Sequence, residues 1–362
     1  MNRSESLGPI VADIAGLHLT EVERLRLKHP AVGGVILFTR NYQSQMQLRQ
    51  LVAEIKAIKS PELLIAVDQE GGRIQRFLDG GFTPLPAMRQ LGDLYDQQGA
   101  SIALSRAWQV GWVLGTELRA VGVDFSFTPV LDLDWGTSQV IGGRSFHSAP
   151  KVVVKLARAF IRGLNQAGVK ACGKHFPGHG KVIADSHHTL PEDTRSWEEI
   201  KDSDLWVFEQ LIQKELVPSV MTAHILYSQV DPCWPAGYSA VWLQSILRLK
   251  LAFKGIIFSD SLTMKAAEGV GGIVQRVRMA KEAGGDSYLI CNEPQSLDEV
   301  LDCAAELGII TELKGWESMR STKSSEESQI LMNTYAFKKA QATVRAMGFE
   351  YERTSQATSI GE

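Results

Sequence analysis

The stretch Gly168-Val-Lys-Ala-Cys-Gly-Lys-His-Phe-Pro-Gly-His-Gly-Lys-Val-Ile-Ala-Asp-Ser-His-His188 indicates how this chain folds. It begins with a short β-prone run between glycines, so residues 169–173 are predicted to form a strand. Pro177 and the glycines that follow it exclude a continuous helix through residues 176–180. The polar part of the stretch, which holds four of the eight histidines, therefore lies on a loop that follows a strand.

The same unit, a strand followed by a polar turn and an amphipathic helix, recurs along the chain and is typical of a parallel β/α fold. The predicted strands lie at residues 9–14, 32–38, 63–67, 123–129, 169–173, 218–221, 255–258 and 287–291. The predicted helices lie at residues 19–28, 44–58, 103–120, 151–167, 196–213, 240–250, 273–283 and 296–307. Eight strands with intervening helices fit an α/β fold of the (β/α)8 TIM-type barrel class, built as a single domain.

Polar motifs follow many of these strands, which favours a barrel over a doubly wound sheet. The motifs are Asp68-Gln-Glu-Gly-Gly72, Asp132, Lys174-His175, Thr222-Ala-His224 and Ser259-Asp260. A barrel brings the carboxyl ends of all its strands to one mouth, whereas an open sheet gathers only those near its switch point. We therefore expect these motifs to meet at one end of the barrel.

The character of the sequence changes after about residue 313, where polar residues become frequent. We assign residues 1–313 to the barrel, 314–328 to a polar linker, 329–348 to a C-terminal helix and 349–362 to a disordered tail. The C-terminal helix has an apolar stripe, so we expect it to pack on the barrel or on a second subunit.

Composition limits the class of protein. The 362 residues are 44% hydrophobic and 22% charged, and the formal net charge of −3 gives no reason to expect nucleic acid or an anionic membrane as a partner. The N-terminal apolar run is broken by Pro9 and Asp13, unlike a signal peptide, and no stretch has the length of a membrane span. The four cysteines form no C-x-x-C pair. We expect a cytoplasmic protein that is a monomer or a weak dimer.

The histidine-rich loop contains a candidate acid/base pair. Asp185 and His187 are separated by one residue, a spacing that in a tight loop lets the carboxylate hold the imidazole in one tautomer. Such a pair can gain and lose a proton near neutral pH. The alternative is a buried loop whose imidazoles bond to backbone carbonyls, an interpretation that suits His179 and His188 better. The concentration of ionisable groups on one loop favours chemistry.

A second candidate is Asp260, which a hydrophobic strand delivers to its C-terminal end. A carboxylate in that place can attack an electrophilic carbon or stabilise a cation. Alternatively, Ser259 and Asp260 could cap a helix over residues 262–267.

Arg76 and Arg144 stand near glycines after predicted strands, and the first of these motifs also contains Asp68. Such groups can hold the hydroxyls and amide oxygens of a polar, uncharged ligand. The alternative for each arginine is a surface ion pair.

Taken together, these strings resemble glycoside hydrolase family 3. They are Val67-Asp-Gln-Glu-Gly-Gly-Arg-Ile-Gln-Arg76, Ile141-Gly-Gly-Arg-Ser-Phe146, Lys174-His-Phe-Pro-Gly-His-Gly180 with the following Asp185-Ser-His187, and Gly255-Ile-Ile-Phe-Ser-Asp-Ser-Leu262. More narrowly, they are similar to the single-domain bacterial β-N-acetylglucosaminidases of peptidoglycan recycling. One departure is Ser261, where that subgroup more often has a second aspartate.

The resemblance implies a catalytic barrel that hydrolyses a terminal β-linked N-acetylglucosamine (GlcNAc) by a retaining double displacement. Asp260 matches the nucleophile and His187 the general acid/base, oriented by Asp185. The positions that match sugar-binding residues are Asp68, Arg76, Arg144, Lys174 and His175. The implied substrate is a saccharide or muropeptide, GlcNAc-β-1,4-anhydro-N-acetylmuramic acid with or without peptide. The resemblance implies no cofactor and no metal.

Three alternatives remain at this point. In a metal-dependent hydrolase, His175, His179, His187 and Asp185 would ligate zinc around an activated water. A catalytically silent barrel would bind the sugar without turnover. A closely related enzyme would transfer the sugar to phosphate instead of water.

Overall fold

The computed structural model describes residues 7–182 and 190–347, and its centre is a barrel of parallel strands. The strands are β1 Ile10–Ala12, β2 Val32–Leu37, β3 Leu64–Val67, β4 Phe125–Ser126, β5 Lys170–Phe176, β6 Ser219–Thr222, β7 Ile256–Phe258 and β8 Tyr288–Ile290. They pair in chain order, β8 pairs back with β1, and a bridge between Phe258 and Ser287 closes the barrel. The predicted (β/α)8 TIM-type barrel is confirmed, and every predicted strand overlaps an observed one.

Every residue of the eight barrel strands except Lys170 is buried, because both faces of the strands are covered. Strand β3 reads Leu-Ile-Ala-Val and is fully buried, as parallel strands covered by helices require. Inside the barrel, the rings of Phe125, Phe127 and Phe258 pack with centroids 5.2–5.7 Å apart. Strands β4 and β7 are not neighbours, so these rings meet across the interior, which is a packed core and not a pore.

Helices surround the barrel. They are α1 Glu21–Lys28, α2 Gln45–Lys56, α3 Met88–Gln98, α4 Ala100–Ala120, α5 Pro150–Ala167, α6 Trp197–Lys201, α7 Asp204–Ile212, a π-helix Val241–Lys250, α8 Ile273–Ala283, α9 Pro294–Asp302, α10 Trp316–Met319, α11 Ser325–Met332 and α12 Tyr335–Ala346. Helix α3 lies outside every predicted helix, and the one predicted over residues 196–213 is divided into α6 and α7. None of the helices within the described residues is long and apolar enough to cross a membrane.

The C-terminal segment differs from the prediction. Helix α10 and the start of α11 lie within residues 314–328, where we expected a polar linker. Trp316 at the start of α10 is buried, and its indole N–H donates to Gly8 O at 3.0 Å. A capping box between Ser324 and Glu327 starts α11. The predicted C-terminal helix is two helices, α11 and α12, separated where Thr334 caps α12. The predicted tail at 349–362 lies outside the described residues.

Candidate active site

The C-terminal ends of the barrel strands surround a cavity of about 410 Å³. Asp68 directly follows β3, Lys174 and His175 belong to the last part of β5, and Asp260 follows β7 by two residues. Arg76 comes from the hairpin after β3 and Arg144 from the short helix Gly142–Arg144. The structure thus brings six predicted site residues to one cavity. Those six are Asp68, Arg76, Arg144, Lys174, His175 and Asp260.

The predicted acid/base pair follows Lys174 and His175 in the same stretch of the sequence. Asp185 and His187, together with His188, lie outside the described residues. The described chain stops at Val182, eight residues after Lys174, and resumes at Leu190.

Two buried cations and two carboxylates form an ionic network beside the cavity. The Lys174 ammonium Nζ lies 2.6 Å from Asp68 Oδ1 and 2.6 Å from Glu70 Oε1. The Arg144 guanidinium donates to both carboxylate oxygens of Glu70, with Nε–Oε2 at 2.8 Å and Nη2–Oε1 at 2.9 Å. Arg76 approaches Asp68 less closely, with Nη2 4.0 Å from Oδ2. Because opposite charges lie in direct contact, each one offsets part of the free-energy cost of burying the other.

The pKa values of Glu70 and Lys174 shift in the directions expected from these short contacts between opposite charges. Burial by itself opposes ionisation of Glu70, but the charges and hydrogen bonds of Arg144 and Lys174 outweigh it and hold the pKa of Glu70 well below its usual value. Burial likewise opposes the charge of Lys174, yet Asp68 and Glu70 raise the pKa of that ammonium above its usual value. The cavity therefore presents fixed charges to a ligand at neutral pH.

The sequence analysis did not assign Glu70 to the site, although its exposed fraction is only 1% and it lines the cavity. A signal for it was present in the Asp68-Gln-Glu70 spacing. Residues two apart on an extended chain point to the same side, so a carboxylate at residue 70 accompanies the one at residue 68.

Asp132 was also not assigned, and it organises the start of the histidine-rich loop. Its Oδ1 accepts the backbone N–H groups of His175 and His179 at 3.1 and 2.7 Å, and its Oδ2 lies 2.7 Å from His175 Nδ1. Burial raises the pKa of Asp132, but His175 and His179 lower it more, so the carboxyl group is ionised. Burial and the neighbouring His175 lower the pKa of His179 to about 4, so the imidazole of His179 is neutral near pH 7.

Asp260 lines the cavity rather than capping a helix. Its Oδ1 accepts the backbone N–H of Ser261 at 2.8 Å, while the next helical segment, Lys265–Val270, begins after Met264 without a side-chain cap. The alternative interpretation of Asp260 as a helix cap is therefore wrong. Ser261, the residue at which the sequence departs from the resemblance, places its hydroxyl 2.8 Å from Thr263 Oγ1.

The surface ion-pair alternative is wrong for Arg144, because both it and Glu70 are buried at the cavity. Arg76 is largely buried as well, with its guanidinium 5.6 Å from the centre of the Phe38 ring. Both arginines line the cavity, so a ligand bound there can contact them.

No group of three or more histidine, cysteine, aspartate or glutamate side chains that could hold a metal ion occurs within residues 7–182 and 190–347. Two of the four zinc ligands that the alternative requires, Asp185 and His187, lie outside those ranges.

Comparison with known proteins decides the family. Residues 9–320 match the glycosyl hydrolase family 3 N terminal domain. The chain belongs to glycoside hydrolase family 3. Relatives named β-hexosaminidase are similar to it over nearly their full length. The protein of Neisseria meningitidis serogroup A is 51% identical over 98% of this chain and 97% of its own, and that of Chromobacterium violaceum is 50% identical over 94% of both.

Similar solved structures support the same family assignment. NagZ from Neisseria gonorrhoeae in complex with N-trifluoroacetyl-D-glucosamine superposes with a TM-score of 0.87 at 50% identity, over 94% of this chain and 98% of that one. A family 3 β-N-acetylglucosaminidase from Paenibacillus sp. gives a TM-score of 0.77 at 32% identity, over 98% of this chain and 65% of that one. This chain is a family 3 glycoside hydrolase of the β-hexosaminidase type that acts on a saccharide substrate, which confirms the resemblance found in the sequence.

Proposed function

We propose that this enzyme is a retaining exo-β-N-acetylglucosaminidase of cell-wall recycling in the cytoplasm. It removes a terminal β-linked GlcNAc from muropeptides, namely GlcNAc-β-1,4-anhydro-N-acetylmuramic acid with or without peptide. Asp260 is the nucleophile, His187 is the general acid/base, and Asp185 orients His187.

The observation that carries the proposal is one cavity that combines a carboxylate with a set of fixed polar groups. Asp260 lines the same cavity as the charged network of Asp68, Lys174, Glu70 and Arg144. Ionised donors and acceptors of this kind bind the hydroxyl and amide groups of a sugar. A volume of about 410 Å³ is near the lower end of ligand cavities, which suits one terminal sugar ring better than a longer chain.

In the first step, Asp260 attacks the anomeric carbon while His187 gives a proton to the glycosidic oxygen, so that the aglycone leaves and a glycosyl ester forms on Asp260. In the second step, the now neutral His187 takes a proton from water, which displaces Asp260 and releases GlcNAc with retained configuration. A neutral imidazole does not repel the Asp260 carboxylate as a second carboxylate would. Lys174, Arg144 and Asp68 hold the sugar in both steps.

The relatives support the choice of sugar. The gonococcal NagZ structure contains an N-acylated glucosamine analogue, and the Paenibacillus relative is named a β-N-acetylglucosaminidase. The motifs that resemble this subgroup supply the charged network and the carboxylate of the cavity, namely Asp68, Glu70, Arg76, Arg144, Lys174 and Asp260.

Release of p-nitrophenol from p-nitrophenyl β-N-acetylglucosaminide tests the mechanism. We expect EDTA-insensitive turnover in the wild type, no turnover in Asp260→Ala, and a loss in His187→Ala that is far greater for a poor leaving group than for an activated phenol. Chelator-sensitive turnover would favour the metal-dependent alternative. A small effect of His187→Ala on both kinds of substrate would move the acid/base role to another residue.

Product analysis tests the reaction class and the aglycone. With GlcNAc-anhydro-N-acetylmuramic acid in phosphate buffer, we expect free GlcNAc with initial β configuration. GlcNAc 1-phosphate as the main product would instead identify a phosphorylase. A much lower kcat/KM on this substrate than on the aryl glycoside, after correction for leaving-group reactivity, would contradict the muropeptide assignment.

A further inference from the structure

His224 makes a contact that the mechanism above leaves unused. Its side chain is 1% exposed, and its Nε2 lies 3.0 Å from the backbone oxygen of Ser261, the residue that follows Asp260. A carbonyl oxygen only accepts, so Nε2 carries the hydrogen and donates it. Burial lowers the pKa of His224, which keeps this imidazole neutral with one donor on Nε2.

The backbone of Ser261 connects His224 to the carboxylate of Asp260. The N–H of Ser261 donates to Asp260 Oδ1 at 2.8 Å, and the C=O of the same residue accepts from His224. The N–H of Met264 reaches that carbonyl at the longer distance of 3.3 Å. Rotation of the backbone at Ser261 would therefore break the His224 bond and turn the N–H that holds the carboxylate.

His224 is itself held on its other sides. Its ring stacks on the buried ring of Tyr238, with centroids 5.7 Å apart and planes 19° apart. The N–H of the preceding Ala223 donates to Phe176 O at 2.8 Å, which ties this segment to the end of β5, where Lys174 and His175 are located. Ala223 and His224 together thus connect the end of the strand that holds the sugar-binding cation with the turn that holds the carboxylate.

We propose that His224 is a positioning residue. Through Ser261 it holds the Asp260 carboxylate at a fixed position relative to the sugar-binding groups of β5. This inference rests on the proposed role of Asp260 as nucleophile. In-line attack on a bound sugar is sensitive to such placement, because a displacement of about 1 Å can cost about 10²-fold in rate. Binding of the sugar itself depends on other strands, so it should change little.

The test compares His224→Ala, His224→Gln and His224→Asn in the full chain. Glutamine can place an amide N–H near the position of Nε2, whereas asparagine is too short. We expect kcat on p-nitrophenyl β-N-acetylglucosaminide to fall about 10²-fold in His224→Ala and His224→Asn, and His224→Gln to recover about tenfold of that loss. The inhibition constant of free GlcNAc should stay within about threefold of wild type in each.

Ser219→Ala is the matched control. Ser219 is buried at the other end of β6, and its hydroxyl donates to the backbone oxygen of Ala171 at 3.1 Å, so the variant loses the same kind of bond away from the cavity. It should lower Tm without changing kcat. If His224→Ala does not fold, the ratio of kcat between His224→Gln and His224→Asn decides, with about tenfold expected.

The possible failures are distinguishable. If Asp260→Ala still turns over, the proposed nucleophile is wrong and the role of His224 falls with it. If Asp260→Ala is inactive while folded His224→Ala keeps kcat within about threefold of wild type, only the inference about His224 is overturned. Equal kcat values for His224→Gln and His224→Asn, or a weakening of GlcNAc binding as large as the loss in kcat, would overturn it as well.

Discussion

Replacing Glu70 by glutamine should both destabilise the protein and disable the cavity. The Glu70 carboxylate is the shared partner of two buried cations, Arg144 at 2.8 and 2.9 Å and Lys174 at 2.6 Å. Glutamine has nearly the same shape but has no charge, and its amide N–H₂ faces cationic donors in place of one carboxylate oxygen. In Glu70→Gln, Lys174 would keep Asp68 as a partner at 2.6 Å, whereas Arg144 would have no carboxylate within 4.0 Å among the described residues.

The size of the effect follows from the burial of the network. Removing one partner of a buried ion pair costs about 3–5 kcal/mol, because the remaining charge is left uncompensated. The entropy of unfolding is about 2.1 cal/mol/K per residue, or roughly 0.8 kcal/mol/K for 362 residues, so Tm should fall by roughly 4–7 °C. Arg144 and Lys174 would also lose their fixed positions, and we expect kcat/KM to fall by about 10²-fold or more.

Thermal unfolding of wild type and Glu70→Gln, with Glu54→Gln as the control, measures the difference. Glu54 pairs with Arg24 at 3.1 Å with 39% of its side chain exposed, so its neutralisation should change Tm by less than about 1 °C. The folded-state pKa of Glu70 is lowered, so its stabilisation is present above the unfolded pKa and is lost only as pH falls through the folded value. The Tm difference should therefore be equal at about pH 6 and about pH 8. A Glu70→Gln variant as stable and as active as Glu54→Gln would refute this reasoning.

Three further outcomes are expected. Burial raises the pKa of Glu117 to about 6 from the usual 4.5, so ionising this carboxyl group in the folded protein costs about 2 kcal/mol. The stability of the wild type relative to Glu117→Gln, measured by denaturant titration, should therefore decline as pH rises from about 4.5 to 6.5. A stability difference that does not depend on pH would contradict this. Asp132→Asn should lower kcat/KM by about tenfold or more, because the amide cannot replace both oxygens that face His175; unchanged kinetics would contradict the role of Asp132. Gly163→Ala should destabilise the folded protein by about 1–3 kcal/mol, since a Cβ at residue 163 would lie 2.2 Å from a backbone oxygen of helix α4. Gly16 has open space around it, so the stability of Gly16→Ala in the same titration should stay within about 0.5 kcal/mol of wild type.

The barrel could be predicted because its signals are local. Each buried parallel strand needs a short apolar run, and each run ends at a glycine, a proline or a polar residue that the chain can place in a turn. The eight runs are separated by helical segments, and this alternation permits few topologies. The polar residues that follow the runs, such as Asp68 and Asp260, then had to meet at one mouth.

Helix α10 and the start of α11 were missed for an identifiable reason. The segment around α10 and α11 is rich in serine and charged residues, and its composition outweighed two local signals. One was the Ser324–Glu327 capping box, which starts a helix. The other was Trp316, which is too apolar for an exposed linker and packs against Phe258 with a centroid distance of 5.9 Å.

The sequence by itself determined the fold class, the family and the residues available for chemistry, because apolar periodicity and the order of motifs are properties of the chain. Only the tertiary structure decided which charges compensate one another. Glu70 lies between Arg144 and Lys174, and His224 reaches the turn after Asp260. These contacts join residues 37 to 104 positions apart in the chain. Their strength comes from distance and burial, which no local pattern encodes.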